Sequence, residues 1–186
     1  CFTAKEGTGV ARIVRTGTLY ASIDAAVTAA ADGDVIEALC DSSLVSPFKI
    51  TDKDITIKSA DDARYKVYVP GRTYFGVDNG RTLTVENLII DGNMAVKDST
   101  CPFGVWGSSK LNIKNSVIQN ITSNADRAGL VLRGGVTTLE NTDLINLHST
   151  NSSPQGVAIS LVTSGASCIF DGGTISNCGD GKKTYD

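Results

Sequence analysis

Apolar residues in this chain recur in short alternating runs, and the runs can be set in register. Four segments superpose: LTVENLIIDGN from Leu83, LNIKNSVIQNI from Leu111, TTLENTDLINL from Thr137 and CIFDGGTISNC from Cys168. Val85, Ile113, Leu139 and Phe170 form one column, and Ile90, Ile118, Leu144 and Ile175 form another. Between them runs a column of Asn87, Asn115, Asn141 and Gly172, advancing by 28, 26 and 31 residues. ITIKS, with Ile57 and Ser59, reads as a weaker earlier copy. A further apolar piece precedes each segment: YFGV from Tyr74, FGVW from Phe103, GLVL from Gly129 and VAISL from Val157. Each unit therefore reads as three short strands, separated by a tight polar turn and an Asn turn. The alternation has strand period, and the Gly, Asn and Ser punctuation leaves no room for the ten or so residues of 3.6 periodicity that a helical unit needs. Strand-built units of this period predict a solenoid.

Stacking explains the columns. Neighbouring coils of such a solenoid lie about 4.8 Å apart, so like residues meet like. Val, Ile and Leu suit a pleated inner face. Stacked Asn amides hydrogen-bond up and down the column, and a ladder over Asn87, Asn115 and Asn141 should end at Gly172.

These residues resemble the right-handed parallel β-helix of the pectate-lyase and polygalacturonase type over residues 20–178. The resemblance implies an all-β chain, a right-handed single-stranded parallel β-helix of about five to six turns, with a strand from each turn in each of three sheets and the Asn column at the turn between the second and third. It speaks to fold, not to activity.

The helical pattern is confined to the N-terminal part. Ser22 is placed to cap a helix whose face carries Ile23, Ala26, Val27 and Ala30, with Gly33 as its stop. Residues 9–15 and 35–39 read as flanking strands. In β-helix proteins such an Ala-rich helix covers the first turn, where bare core and open strand edges would invite aggregation. We therefore read 1–186 as one domain: 1–40 as cap and first strand, 50–178 as repeating turns and 179–186 as a polar tail. No cap is visible at the other end. The expectation is a fragment of a longer surface protein, with self-assembly through the uncapped end as one outcome and the tail folding over the last turn as another.

Composition narrows the function classes. With 41% hydrophobic and 20% charged residues the chain is globular. A net charge of −3 gives no basic surface for nucleic acid, and no apolar run is long enough to span a membrane. Cys1, Cys40, Cys101, Cys168 and Cys178 match no zinc spacing, so no metal site is expected. Buried thiols and disulfides both remain open, and an odd count leaves one cysteine over. Asn120-Ile-Thr and Asn151-Ser-Ser are sequons, expected in long loops and so glycosylated in a eukaryotic source.

The first sheet carries the candidate binding face. If Phe75, Val77, Phe103, Val105, Leu130, Leu132, Ile159 and Leu161 point inward, one outward column is Gly76, Gly104, Val131 and Ser160. The next is Asp78, Trp106, Arg133 and Val162. The only Trp of the chain then stands between an Asp and an Arg, a platform for stacking a sugar, or else lies covered by its own loop, 91–102. Asp78, Trp106, Arg133 and Ser160 are the candidate ligand-binding residues.

No catalytic residue is assigned. Glycoside hydrolysis needs two carboxyl groups about 5 to 9.5 Å apart, and Asp78 stands alone in its column. The resemblance implies, for a lyase, Ca²⁺ held by clustered acids with an Arg base. For a polygalacturonase it implies an Asn-Thr-Asp motif leading into the first sheet. Asn141-Thr142-Asp143 has those letters but leads into the third strand, Asp61-Asp62 precedes it, and His148 is followed by Ser. Asp126, Arg127 and His148 are expected in loops. The expected protein is an extracellular or cell-surface β-helix, a rigid structural and adhesive module that binds glycans or other surface proteins and needs no cofactor. A polysaccharide lyase or glycoside hydrolase domain and a phage tailspike segment are the alternatives.

Overall fold

The chain is seen here in a computed structural model, which describes residues 9–71, 74–93, 101–179 and, for the backbone, 96–97 and 184–185. It is an all-β solenoid of about five turns. Cys1, most of the 94–100 segment and most of the tail lie outside the described residues, and with them the pairing of Cys1, the covering of Trp106 and the path of the tail.

The columns read from the sequence are the register of the structure. Ile36, Ile57, Val85, Ile113, Leu139 and Phe170 pair in parallel, one above the next. Val67, Ile90, Ile118, Leu144 and Ile175 do the same on the third face. On the first face Phe48, Phe75, Phe103, Leu130 and Ile159 stack. The Phe75 ring is stacked on Phe103 at 5.0 Å and meets Phe48 edge-on at 5.2 Å. Mostly aliphatic and aromatic groups meet at each level of these columns, as close packing of the lumen favours.

Among the described residues the hydrogen-bonded sheets are two, of 11 and 9 strands, not three. Strands Phe103–Lys114 and Leu130–Glu140 run unbroken from the first face to the second, where polar turns were expected. Gly107 and Gly135 take positive φ of 59° and 66° there, so glycine lets the strand bend around the corner through a bulge, and the pairing resumes at Lys110 and Val136. Val117–Ser123 and Asp143–Ser149 likewise run past the expected strand ends.

Near the N-terminus, residues Ala11–Ile13 pair antiparallel with Val35–Ala38, the first strand of the parallel stack. The helix spans Ile23–Ala29, and the Ser22 hydroxyl accepts from the Ala25 N–H at 3.2 Å. Ile23, Ala26 and Val27 are buried, and the helix contacts the strands Ala11–Ile13, Leu19–Tyr20 and Val35–Ala38. It stops at Ala29, earlier than Gly33 suggested, because the Asp34 carboxylate reaches back to the Ala31 N–H at 2.7 Å and takes both Arg15 nitrogens.

At the far end the pattern changes. Leu132 is fully buried, but Leu161, one turn on in the same column, is 55% exposed. It was expected to face inward as Leu132 does. Among the described residues no strand pairs beyond it, so its inner face has no neighbour.

Candidate functional site

The outward columns of the first face are built on two glycines. Gly76 and Gly104 pair side by side, between Lys49 on one side and Val131 and Ser160 on the other. With no side chains there, the sheet has a shallow hollow, and Trp106 folds back along its own strand into it. Its six-membered ring lies against Gly104 so closely that a Cβ there would collide with ring atoms Cη2 and Cζ3. Tyr74 completes the aromatic surface, with ring centroids 6.1 Å apart.

Cations flank the ring. Lys49 Nζ lies 5.2 Å and the Arg133 guanidinium carbon 5.8 Å from the Trp106 centroid, within cation–π range. Lys49 also reaches Asp78 Oδ2 at 3.0 Å. That hydrogen bond, with another from the Asn79 N–H, holds the Asp78 carboxyl below its ordinary value. Arg133 is exposed and, among the described residues, has no carboxylate partner.

A cleft of about 330 Å³ opens beside this surface, lined by Tyr74, Trp106, Arg133, Arg127, Asp126 and Cys101 among others. Arg127 is held on three sides: Nε donates to Ser160 Oγ at 2.8 Å, Nη1 to Asp126 Oδ1 at 3.0 Å and Nη2 to Gln155 Oε1 at 3.4 Å. Burial pushes the Cys101 thiol up to about 11, against the pull of Arg127 and Arg133. Cys101 thus lines the cleft as a neutral thiol.

Of the four expected ligand residues, Trp106 and Arg133 meet at the cleft. Asp78 is tied to Lys49 at its edge, and Ser160 is buried beneath Arg127 and serves to hold it. Tyr74 and Lys49 were not foreseen. The piece FKI, 48–50, lies 27 residues before FGV, 75–77, and that spacing would have placed Lys49 in the Gly76 column.

The other expectations sort themselves by register. Asn87, Asn115 and Asn141 all take left-handed backbone, φ 54°, 49° and 46°. Asn141 Nδ2 donates to Asn115 Oδ1 at 3.4 Å, but Asn87 Nδ2 turns to the Ala63 carbonyl at 2.9 Å, because the 60–65 loop brings that carbonyl within reach. A second ladder went unseen. Asn177 Nδ2 donates to Asn146 Oδ1 at 2.6 Å, Asn146 to Asn120 at 3.0 Å, and Asn120 to the Asp91 carboxylate at 3.3 Å. Asn120 thus lies inside the strand Val117–Ser123, not in a loop, with its amide engaged on both sides. Asn151 does lie in a loop, its Oδ1 accepting from the Ser153 N–H. His148 belongs to the strand Asp143–Ser149. Thr142 bonds the Ile113 carbonyl and Asp143 takes the Thr174 N–H, so Asn141-Thr142-Asp143 is wholly occupied with the stack.

Among the described residues no three His, Cys, Asp or Glu side chains converge to hold a metal ion. Cys40, Cys101, Cys168 and Cys178 carry free thiols. No helix is long and apolar enough to cross a membrane. Comparison with protein-family models, with curated proteins and with solved structures returns no match to this chain.

Proposed function

We propose that this chain is an extracellular or cell-surface β-helix of the right-handed, pectate-lyase-like kind, a stiff adhesive module that binds glycans at the Trp106 cleft. The observation that carries the reading is the pairing of a Trp106–Tyr74 surface with Arg133, an exposed cation lacking a carboxylate partner among the described residues. An aromatic surface takes the apolar face of a sugar ring, and a few fixed polar groups orient it. The Asp126 carboxylate is committed to Arg127, which favours binding over hydrolysis. The helix Ile23–Ala29, with Ile23, Ala26 and Val27 packed on the first strands, supports its reading as the N-terminal cap. Of the two sequons, Asn151, which lies in a loop, is the one we assign as a glycosylation site.

Titration with neutral and acidic oligosaccharides, followed by calorimetry, tests the reading. The expected result is binding that Trp106→Ala abolishes while its melting temperature stays near that of the parent protein. Equal binding by the variant, or no binding of any oligosaccharide, overturns it.

A further inference from the structure

Charge is distributed unevenly around the Trp106 cleft. Two of the cations on its wall and rim are neutralised within the protein. Arg127 is paired with Asp126 at 3.0 Å, both side chains half-buried. Lys49 is paired with Asp78, also at 3.0 Å. Arg133 is left over. Its side chain is exposed, and among the described residues it donates no hydrogen bond and meets no carboxylate. Burial holds the Cys101 thiol in its neutral form. Among the described residues the cleft and its rim thus carry one uncompensated positive charge, and it lies beside the tryptophan ring.

The stack sets where that charge stands. Trp106 and Arg133 are partners in register on neighbouring strands, which lie about 4.8 Å apart. The guanidinium carbon is 5.8 Å from the ring centroid. A sugar ring laid on the surface of Trp106 and Tyr74 therefore has Arg133 within reach of a group borne directly on that ring. The charge decides which group fits. A guanidinium stays charged at any ordinary pH and presents five N–H donors. A neutral ligand covering it strips its water and supplies no counter-charge, which is unfavourable. A carboxylate, or the oxygens of a sulfate ester, can accept two parallel N–H bonds and replace that water. On the floor of the cleft, Gly104 and Val131 offer no polar side chain to compete for the group.

Building on the glycan reading above, on which this rests, we infer that the cleft selects a sugar bearing one anionic group, a carboxylate or a sulfate ester, and that Arg133 determines the selectivity. Trp106 and Tyr74 supply contact that neutral and acidic sugars share. Arg133 supplies the difference between them. One free cation serves one anion, so a second acidic group on the ligand finds no partner in the cleft. The site thus reads a single acidic sugar and is indifferent to a run of them.

Calorimetric titration with four disaccharides of one backbone tests this: one neutral, one with a single carboxylate, one with a single sulfate ester and one with two acidic groups. A singly acidic disaccharide is expected to bind about tenfold tighter than the neutral one, the worth of a hydrogen bond to a charged group. The second acidic group should add nothing comparable, and the tighter of the two singly acidic sugars names the group. Arg133→Gln, at an exposed position, should bring the acidic sugar down to the affinity of the neutral one and leave the neutral one unchanged. Equal affinity for neutral and acidic disaccharides, or a preference that Arg133→Gln retains, overturns the inference and leaves glycan binding in place. Affinity that climbs equally with each acidic group overturns the selectivity for one. No binding of any disaccharide overturns the glycan reading itself.

Discussion

Trp106 lies against the backbone of Gly104, two residues earlier on the same face of one strand. Residues two apart on a strand share a face, so the ring can fold back only where the earlier residue leaves room. Gly104→Ala should lift the ring off the sheet. The expected outcome is a shift in the emission of the single tryptophan, together with loss of oligosaccharide binding. An unchanged spectrum would place the ring elsewhere.

Ser160 lies under the cleft and touches it only through Arg127. Ser160→Ala should leave the fold intact, costing about 1 kcal/mol for the lost hydrogen bond, and should weaken ligand binding by freeing Arg127. Ser160→Thr, which keeps the hydroxyl, should restore most of the affinity. Binding unaffected by Ser160→Ala would remove Arg127 from the ligand's contacts.

Asn146 stands in the middle of the second ladder with φ 55°. Asn146→Ala removes both amide bonds and places an alanine in left-handed backbone, costing roughly 1–3 kcal/mol in all. Asn146→Gly loses the bonds and keeps the backbone at ease. Urea melts should rank the parent above the glycine variant and the glycine variant above the alanine one.

Acid should loosen the N-terminal coil first. The hydrogen bond from Arg15 holds the Asp34 carboxyl below its ordinary value, and that from Arg12 does the same for Glu37. A carboxylate depressed in the folded state stabilises above its unfolded pKa and loses that contribution as pH falls through the folded one. Stability should be flat from neutrality to about pH 5 and fall below about pH 4. Thermal melts of Asp34→Asn should show a lower plateau and a shallower acid slope than the parent. Parallel slopes would assign the acid sensitivity to other groups.

Much of this molecule is legible in its sequence because stacking forces chemistry into columns. Val85 and Ile113 could be paired on paper, since the inner face admits only like groups at each level. The outward groups obey no such rule: the spacing of 48–50 from 75–77 gives Lys49 its column, but where its side chain and that of Tyr74 lie depends on the space Gly76 leaves. Asn120, Asn146 and Asn177 were legible in principle, spaced by 26 and 31 like the first Asn column. The sequon at Asn120 drew attention to its exposure and away from its register. The corner at Gly107 was expected as a tight polar turn because glycine serves a bend within a strand as readily as a turn between strands.

The second asparagine ladder has a direction. Every amide donates backwards, from Asn177 to Asn146 to Asn120, and the series is closed by the Asp91 carboxylate. Each new coil thus finds its acceptor already fixed by the coil beneath it, while a coil formed out of order has nothing to donate to. A chain emerging from the ribosome N-terminus first meets this requirement as it is made. The ladder thus hangs from one anchored end, and the anchor is a single buried aspartate.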